Sequence, residues 1–470
     1  MKKIRIIPII ALFSVMLASC PDLNPKDPEG ETFWAQDLKK GSFYKLKAKM
    51  LYAGAHCEVW AETGSGVTKA MAENIAHEYD NKIRPRVVDV FSAKNFNVKD
   101  DNGSTHHFAD TLDFANALTG RDNKKLTVLL LDIRDGFQNE ATDPYVAGYF
   151  YSGDFLPKKG QNIINNNIYY SNVRDMIYVD TNPGLRNEST QAQVYSTFAH
   201  ELQHLVNFVT TVLIDRKDDN GNPVSMDIWV NEGLSAYAEY LYLDKNPRDK
   251  CAWLIDDRNT IYTGNNFFVW DNYKDISTAI LDDYATVYLF FRWLHLRNSG
   301  SKPGIFFDIV NSKYYDYRAV TSVVGGNWET LLKAWLTANY NPQSGYAGDA
   351  ELQQIIEIDP IYIQGNKKSL FPGEGVYSVS NGSSHTSTGN IRYAELTGNT
   401  RSVRLTFNAN PDNKAGVELG SLTGVSASVA SPTAAGNARQ AGKWNGPYVI
   451  DAQDMLGRNQ DMPIPVRIRR

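Results

Sequence analysis

Apolar residues recur at steps of three and four positions between Gln191 and Leu213, which predicts a largely buried helix. The same stretch contains His200, Glu201 and His204, which form the pattern H-E-x-x-H. Because positions four apart stack on one face of a helix, the two imidazoles are expected to project together. Glu201 is rotated by about 100° from His200 and would flank that pair.

The other patterns predict an α+β chain. Helical periodicity covers 67–79, 228–243, 280–296 and 328–340. Short apolar or alternating runs predict strands at 48–60 (a strand pair or one extended strand), 87–91, 126–132, 176–180, 375–380, 391–396 and 403–408. The stretch 244–274 has neither pattern, which favours a loop-rich connection.

These elements suggest three folded parts. Helices between strands predict a mixed-sheet subdomain over 42–185, and the long helices a helical subdomain over 186–345. Gly, Ser, Thr and Asn rise after Ser344, which predicts a small, sandwich-like β-domain over 346–470.

The N-terminus has the pattern of a bacterial lipoprotein leader. Basic residues precede an apolar run over 6–16 that is too short to span a bilayer, and Leu17-Ala18-Ser19-Cys20 matches a lipoprotein box. We therefore expect residues 1–19 to be removed, Cys20 to be lipidated and 20–41 to be a tether. The alternative for 21–41 is a strand that packs on the folded body. An ordinary signal peptide is the alternative. The expected location is the cell envelope, with the protein facing either the periplasm or the cell surface.

Charge and cysteine content limit the possible partners and leave the disulfide question open. Removing Lys2, Lys3 and Arg5 from 48 basic residues, against 53 acidic ones, changes the formal net charge from −5 to about −8. This balance argues against a nucleic-acid partner, and against an anionic membrane that would be recognised through the overall charge of the protein. Cys57 and Cys251 could pair in an exported protein or be separate buried thiols.

The H-E-x-x-H pattern predicts a metal site. Two neutral imidazoles can grip one Zn²⁺, while the intervening carboxylate accepts a proton from water. The alternative is a pair of surface or core histidines. Glu232, within a helix-forming stretch 28 residues after His204, is the preferred third ligand. Glu239 lies on the same face and competes, and Glu232 could instead be a first-turn residue favoured by the helix dipole.

Two segments carry a family resemblance. H-E-L-Q-H-L-V-N-F, followed by W-V-N-E-G-L-S-A-Y-A-E, resembles the hyicolysin-type neutral metallopeptidases, a branch of the gluzincins. The likeness is strongest over 172–293 and extends more weakly back to about residue 48. It implies a zincin-like fold, Zn²⁺ held by His200, His204 and Glu232, Glu201 as general base, and protein or peptide substrates.

The resemblance also implies supporting groups. Gluzincins place a phenol or imidazole opposite the catalytic Glu, and Tyr284 is the first candidate here, then Tyr288; His295 is expected to pack or to lie at the surface. An edge strand that binds the substrate backbone is expected within 143–180. Thermolysin-type enzymes carry an acidic residue where this chain has Ala236, so the partner of the ligand histidine is unassigned, with Glu239 a candidate.

Two other functions are compatible with the same residues. One is a catalytically degenerate surface lipoprotein that acts as a binding or adhesion module. The other is a zinc hydrolase that acts on a bond other than a peptide bond. The stretch 70–74 resembles an exopeptidase motif of aminopeptidase gluzincins, but that motif lies on a strand and 70–74 is predicted to be helical.

Overall fold

The computed structural model describes residues 30–99, 103–121, 123–138, 145–164, 166–186, 188–213, 225–255, 279–298, 304–356, 358, 369–380, 387, 389–397, 402–411 and 417–418. The chain forms two compact units. The boundary lies between Ser225 and Met226, and residues 241–243 also belong to the first unit. Among the described residues, no helix is both long and apolar enough to cross a membrane. Cys20 and the segment 1–29 lie outside the described residues.

The first unit is built on a six-stranded mixed sheet with the order β1-β2-β3-β6-β10-β7. Its strands are β1 (Glu31–Asp37), β2 (Ser42–Ala53), β3 (Cys57–Glu62), β6 (Leu126–Leu131), β7 (Gly148–Phe150) and β10 (Met176–Asp180). β6 runs parallel to β3 and β10, whereas the other neighbours are antiparallel. The strands predicted at 126–132 and 176–180 are therefore confirmed, and 48–60 contributes to a strand pair. The tether predicted over 20–41 was wrong for 31–37, because these residues form β1 and pair with β2.

Two further hairpins belong to this unit. One consists of β4 (Lys94–Lys99) and β5 (Thr105–Asp110), the other of β8 (Gly160–Ile164) and β9 (Asn167–Ser171). The helices of the unit are α1 (Lys69–Glu78), α2 (Arg84–Phe91), α3 (Thr111–Leu118) and α4 (Glu188–Phe208), with π-helical turns at Tyr79–Ile83 and Val209–Leu213. The stretch 70–74 lies in α1, as expected, and not on a strand.

The strand predicted at 87–91 was wrong, because these residues form most of α2. Buried Ile83, Val87, Val90 and Phe91 follow a helical spacing that becomes visible only when the window extends back to Ile83. Pro85 in the first turn favours a helix start. Packing of this apolar face against α4 outweighs the strand preference of the valines.

One face of the sheet encloses a core that includes Phe33, Leu46, Leu129 and Tyr178. The sheet curls, so that Asn172, which follows β9, and Tyr178 on β10 form hydrogen bonds with the free edge of β1. Asn172 Oδ1 accepts from Trp34 N–H at 2.8 Å, and Tyr178 O–H lies 3.1 Å from the Trp34 carbonyl. These bonds protect an edge that would otherwise offer unpaired backbone groups.

A buried carboxyl group, Asp154, lies at the centre of this arrangement. Asn172 donates to its Oδ1 through the backbone at 2.7 Å and through Nδ2 at 2.9 Å, and Tyr178 Oη lies 2.7 Å from its Oδ2. Burial raises the pKa of Asp154 to about 7. A neutral Asp154 can donate to Tyr178, which leaves the phenolic proton free for the Trp34 carbonyl.

We expect Asp154→Asn to flatten the pH dependence of stability. The folded protein holds a proton that the unfolded chain releases near pH 4, so the free energy of unfolding should fall as pH rises from about 4 to about 7. Asparagine keeps the hydrogen-bonding shape without the proton. Urea unfolding at a series of pH values measures how steeply the free energy of unfolding changes with pH. Asp89→Asn, at an exposed position of α2, is the control. An unchanged slope in Asp154→Asn would contradict this assignment.

The second unit is largely helical. Its helices, among the described residues, are α5 (Ile228–Leu243), α6 (Arg248–Leu254), α7 (Ala279–Arg297), α8 (Gly304–Val310), α9 (Tyr317–Val324), α10 (Trp328–Tyr340), α11 (Pro342–Gly345) and α12 (Ala350–Ile355). The helices predicted at 228–243 and 328–340 are confirmed at these bounds, and 280–296 lies in α7. The loop prediction for 244–274 was wrong at α6, while 256–274 lies outside the described residues.

The described strands after α12 are β11 (Ser369–Leu370), β12 (Gly375–Val379), β13 (Ile391–Thr397), β14 (Ser402–Asn408) and β15 (Val417–Glu418). The antiparallel order β12-β14-β13 confirms the three strands predicted there. Tyr377 O–H donates to the Leu336 carbonyl at 2.7 Å, which ties this sheet to α10. Cys57 and Cys251 are separate buried thiols.

Candidate metal centre

The H-E-x-x-H residues form a buried cluster on α4. His200, Glu201 and His204 are 4%, 1% and 2% exposed, and one ligand atom from each lies within 4.8 Å of those of the other two. The imidazole centroids are 4.7 Å apart. The predicted helix is confirmed, and its four-residue spacing brings the two imidazoles together.

Buried apolar residues flank the cluster along α4. Phe198, Leu202 and Leu205 on the same helix are at most 1% exposed, and the ring of Phe198 stacks on Tyr79 at 5.2 Å. Placing three ionisable side chains in such surroundings costs free energy unless specific partners or a metal compensate. A metal-binding role therefore accounts for the burial better than a surface pair of histidines does.

Glu201 is held by the edge strand β7. The Phe150 backbone N–H donates to Glu201 Oε2 at 2.8 Å. Asp180 N–H donates to the Ala147 carbonyl, which makes 147 and 180 a hydrogen-bonded pair of the antiparallel ladder. Because such pairs alternate, the backbone groups of Gly148 and Phe150 point away from β10 and towards the side where Glu201 lies. The sequence does not reveal this bond, since 51 positions separate the two residues.

Gly148 lies where β7 and α4 come closest. A β-carbon at this position would lie 2.8 Å from the Tyr178 carbonyl oxygen, 3.5 Å from Thr197 Cγ2 and 3.8 Å from Glu201 Cγ. The backbone oxygen cannot move without breaking the pairing of β7 with β10. Glycine is therefore required by close approach rather than by backbone angle.

We expect Gly148→Ala to displace β7, to lower the melting temperature and to reduce any activity that depends on Glu201. Gly304→Ala is the control, because a β-carbon at Gly304 meets no atom within 4 Å. Thermal unfolding followed by circular dichroism compares the two variants. Equal melting temperatures would show that β7 accommodates the methyl group.

Glu232 lies in the second unit, on α5, and is 0% exposed. The helix begins at Ile228, and its first turn contains no acidic residue. This position argues against the alternative of a first-turn Glu favoured by the helix dipole. The next residue, Gly233, allows close packing within the unit, because a β-carbon there would lie 2.3 Å from the Phe291 ring.

Glu239, the competing carboxylate, belongs to a buried ion pair. Lys250 Nζ lies 3.1 Å from Glu239 Oε1 and 2.9 Å from Asp249 Oδ2. Burial acts to lower the pKa of Lys250, but the two carboxylates outweigh it and raise that pKa above its usual value. Balancing a buried cation is a structural role for Glu239 that the sequence analysis missed.

The two candidate phenols differ in their surroundings. Tyr288 is fully buried and its O–H donates to Asn246 Oδ1. Asn246 in turn donates to Asp349 Oδ1 at 3.0 Å, and Arg292 Nη2 lies 2.8 Å from Asp349 Oδ2. Tyr284 is 3% exposed, and its ring lies 5.7 Å from the ammonium group of Lys250. The hydroxyl of Tyr288 is therefore part of a buried hydrogen-bond network within the second unit.

His295 packs within the second unit. Its Nδ1 lies 2.7 Å from Tyr237 Oη and 2.9 Å from Arg292 Nη1. Burial and the neighbouring guanidinium lower the pKa of His295 to about 4, so the ring is neutral at pH 7. These contacts agree with the packing role expected for it.

Comparison with known proteins supports a metallopeptidase family. No protein-family model matches the chain. The chain is 28% identical over 274 residues to the neutral metalloprotease ShpI of Staphylococcus hyicus. The aligned region covers 58% of this chain and 52% of the relative. The chain therefore spans about half the length of that relative. The mixed α+β architecture is compatible with a metallopeptidase fold, and the similarity does not favour a degenerate binding module. The relative is named a neutral metalloprotease, and the buried His200-Glu201-His204 cluster could hold a metal ion.

Proposed function

We propose that this protein is a zinc-dependent endopeptidase of the hyicolysin type, within the gluzincins. His200, His204 and Glu232 are the proposed metal ligands, and Glu201 is the proposed general base. The observation that carries the proposal is the buried His200-Glu201-His204 cluster, in which a sheet-edge amide holds the carboxylate of Glu201. The relative named a neutral metalloprotease supports the same chemistry.

The donor set fits zinc. Two imidazoles and one carboxylate are the protein ligands of catalytic zinc sites that leave a further position open. When bound, zinc lowers the pKa of water and polarises the scissile carbonyl group. His200 and His204, whose ligand nitrogens lie within 4.8 Å of each other, would supply two of these donors from one helix. Glu232 would supply the third from α5.

Glu201 performs the proton transfers in this proposal. Its carboxylate accepts a proton from the water that attacks the scissile carbonyl carbon. It then delivers that proton to the nitrogen of the leaving amine as the C–N bond breaks. The hydrogen bond from Phe150 fixes Oε2, so the position of the carboxylate is set before substrate binds.

The edge strand β7 is the proposed binding element for substrate backbone. The Phe150 N–H holds Glu201, so the groups proposed for substrate on the same edge are the Phe150 carbonyl and the backbone of Gly148. An extended peptide that adds to this edge would form main-chain hydrogen bonds next to the general base. Tyr284, and in second place Tyr288, would donate to the oxyanion of the tetrahedral intermediate.

The proposed location is the bacterial cell envelope. The leader and box ending at Cys20 predict export, cleavage and lipidation of that cysteine. The lipid would hold the enzyme at a membrane, where protein or peptide substrates reach it from the aqueous side.

A cleavage screen with chelator control tests the function. The purified full chain is incubated with a complex protein mixture and with peptide libraries, and new termini are identified by mass spectrometry. We expect cleavage that a zinc chelator removes and that stoichiometric zinc restores. Zinc binding without any cleavage would favour the binding module. Hydrolysis of ester or other non-peptide substrates alone would favour the non-peptide hydrolase.

A further inference from the structure

The hairpin β8–β9 exposes two large apolar side chains at its outer end. Ile163 and Ile168 are direct cross-strand partners, 67% and 52% exposed. They are the two most exposed large hydrophobic residues in the described part of the chain. A paired apolar tip of this kind marks an interaction surface rather than scattered exposure.

The base of the hairpin is firmly held. The Tyr170 ring lies 4.1 Å from the Trp34 ring and 5.2 Å from that of Phe43. Ser171 O–H lies 3.1 Å from the Asp154 carbonyl and 3.0 Å from the Leu156 carbonyl. Because these contacts fix the base, the isoleucines are presented by an ordered element.

A basic strip adjoins the same base. Lys45, Lys47 and Lys49 alternate along β2 and are all exposed. Lys45 Nζ lies 4.9 Å from the Trp34 ring on which Tyr170 packs. The adjacent Lys158 and Lys159 immediately precede the hairpin and are exposed as well. These lysines stand out in a chain with a negative net charge, and they suit an anionic surface.

The first strand of the sheet begins next to the base of this hairpin. Glu31, the first residue of β1, forms ion pairs with Lys159 and Arg174, both at 2.6 Å. Cys20 precedes Glu31 by eleven residues, which span at most about 40 Å when fully extended. A lipid on Cys20 would therefore keep the base of the hairpin within that distance of the bilayer.

We propose that the tip of β8–β9 inserts into the lipid bilayer, while the lysine strip of β2 contacts anionic headgroups. The isoleucines enter the apolar boundary, and the aromatic rings of Trp34 and Tyr170 lie behind them at the level of the headgroups. The tether and this surface are two attachments to one membrane, so the body is held in one orientation. The orientation rests on the proposed lipidation of Cys20, whereas insertion of the tip does not depend on peptidase activity.

A site-specific fluorophore tests the insertion. Ile163→Cys, in the full lipidated chain, is labelled with a polarity-sensitive dye; the native Cys57 and Cys251 are buried. Vesicles of phosphatidylcholine and phosphatidylglycerol carry a nitroxide on the acyl chains. We expect the emission to shift to shorter wavelength and to be quenched by the nitroxide. Asn74→Cys, at an exposed position on α1, is the control and should show neither change.

The same measurement can also contradict the insertion of the tip. Emission from position 163 that stays like that in water and is quenched only by a soluble quencher would overturn the proposal and favour a protein partner for the tip. The charge contribution is tested by Lys45→Glu combined with Lys47→Glu and Lys49→Glu. This triple variant should lose the quenching at position 163, as should vesicles without phosphatidylglycerol. Quenching that is insensitive to both changes would remove the lysines from the docking surface.

Discussion

Glu201→Gln is expected to bind zinc like the wild-type protein and to lose peptide hydrolysis by about 10²–10⁴-fold or more, the range that general acid–base catalysis contributes. Glutamine has the size of glutamate, and its amide oxygen can still accept the hydrogen bond from Phe150 N–H. It cannot take a proton from water at neutral pH. The variant therefore removes proton transfer while the position of the side chain is kept.

Two measurements on the same preparation separate the outcomes. Zinc content is determined by elemental analysis, and kcat/KM with a peptide found in the cleavage screen. Glu73→Gln, on α1, is the control for the substitution itself. Full activity of Glu201→Gln would remove Glu201 as the base. A joint loss of zinc and activity would instead place Glu201 among the groups that hold the metal.

Glu232→Gln is expected to weaken zinc binding by about 100-fold or more, beyond the 10–100-fold typical of losing an outer-shell partner. An amide oxygen is a poorer zinc ligand than a carboxylate, and two histidines alone leave the coordination incomplete. Activity should be lost with the metal. A zinc titration with a competing chelator measures the affinity.

Glu239→Gln is the matched variant on the same helix, because both carboxylates are buried. It should retain zinc and lose stability, by up to about 3 kcal/mol, since Lys250 would keep only Asp249 as a buried counter-ion. Chemical unfolding of the zinc-free proteins measures this difference. If Glu239→Gln lost zinc while Glu232→Gln kept it, the two assignments would have to be exchanged.

Stretches with a clear apolar period were predicted well, because the spacing of their apolar residues indicates which face of the element is buried. α5 and α10 have the predicted bounds, and α4 places His200 and His204 together, because a helix sets the four-residue relation locally. The error at α2 arose in a short run of valines, where the window contains too few residues to distinguish a strand from a buried helix.

By itself, the sequence determined the helix that carries the H-E-x-x-H residues. Through a family resemblance it also predicted the chemistry of that triad and the classes of its partners. Only the tertiary structure decided that a β7 amide holds Glu201, that Glu239 balances Lys250 and that Tyr288 bonds to Asn246. It also revealed that Ile163 and Ile168 form an exposed pair. The physical reason is separation along the chain: local spacing sets relations within one helix, whereas contacts between elements depend on how their faces pack.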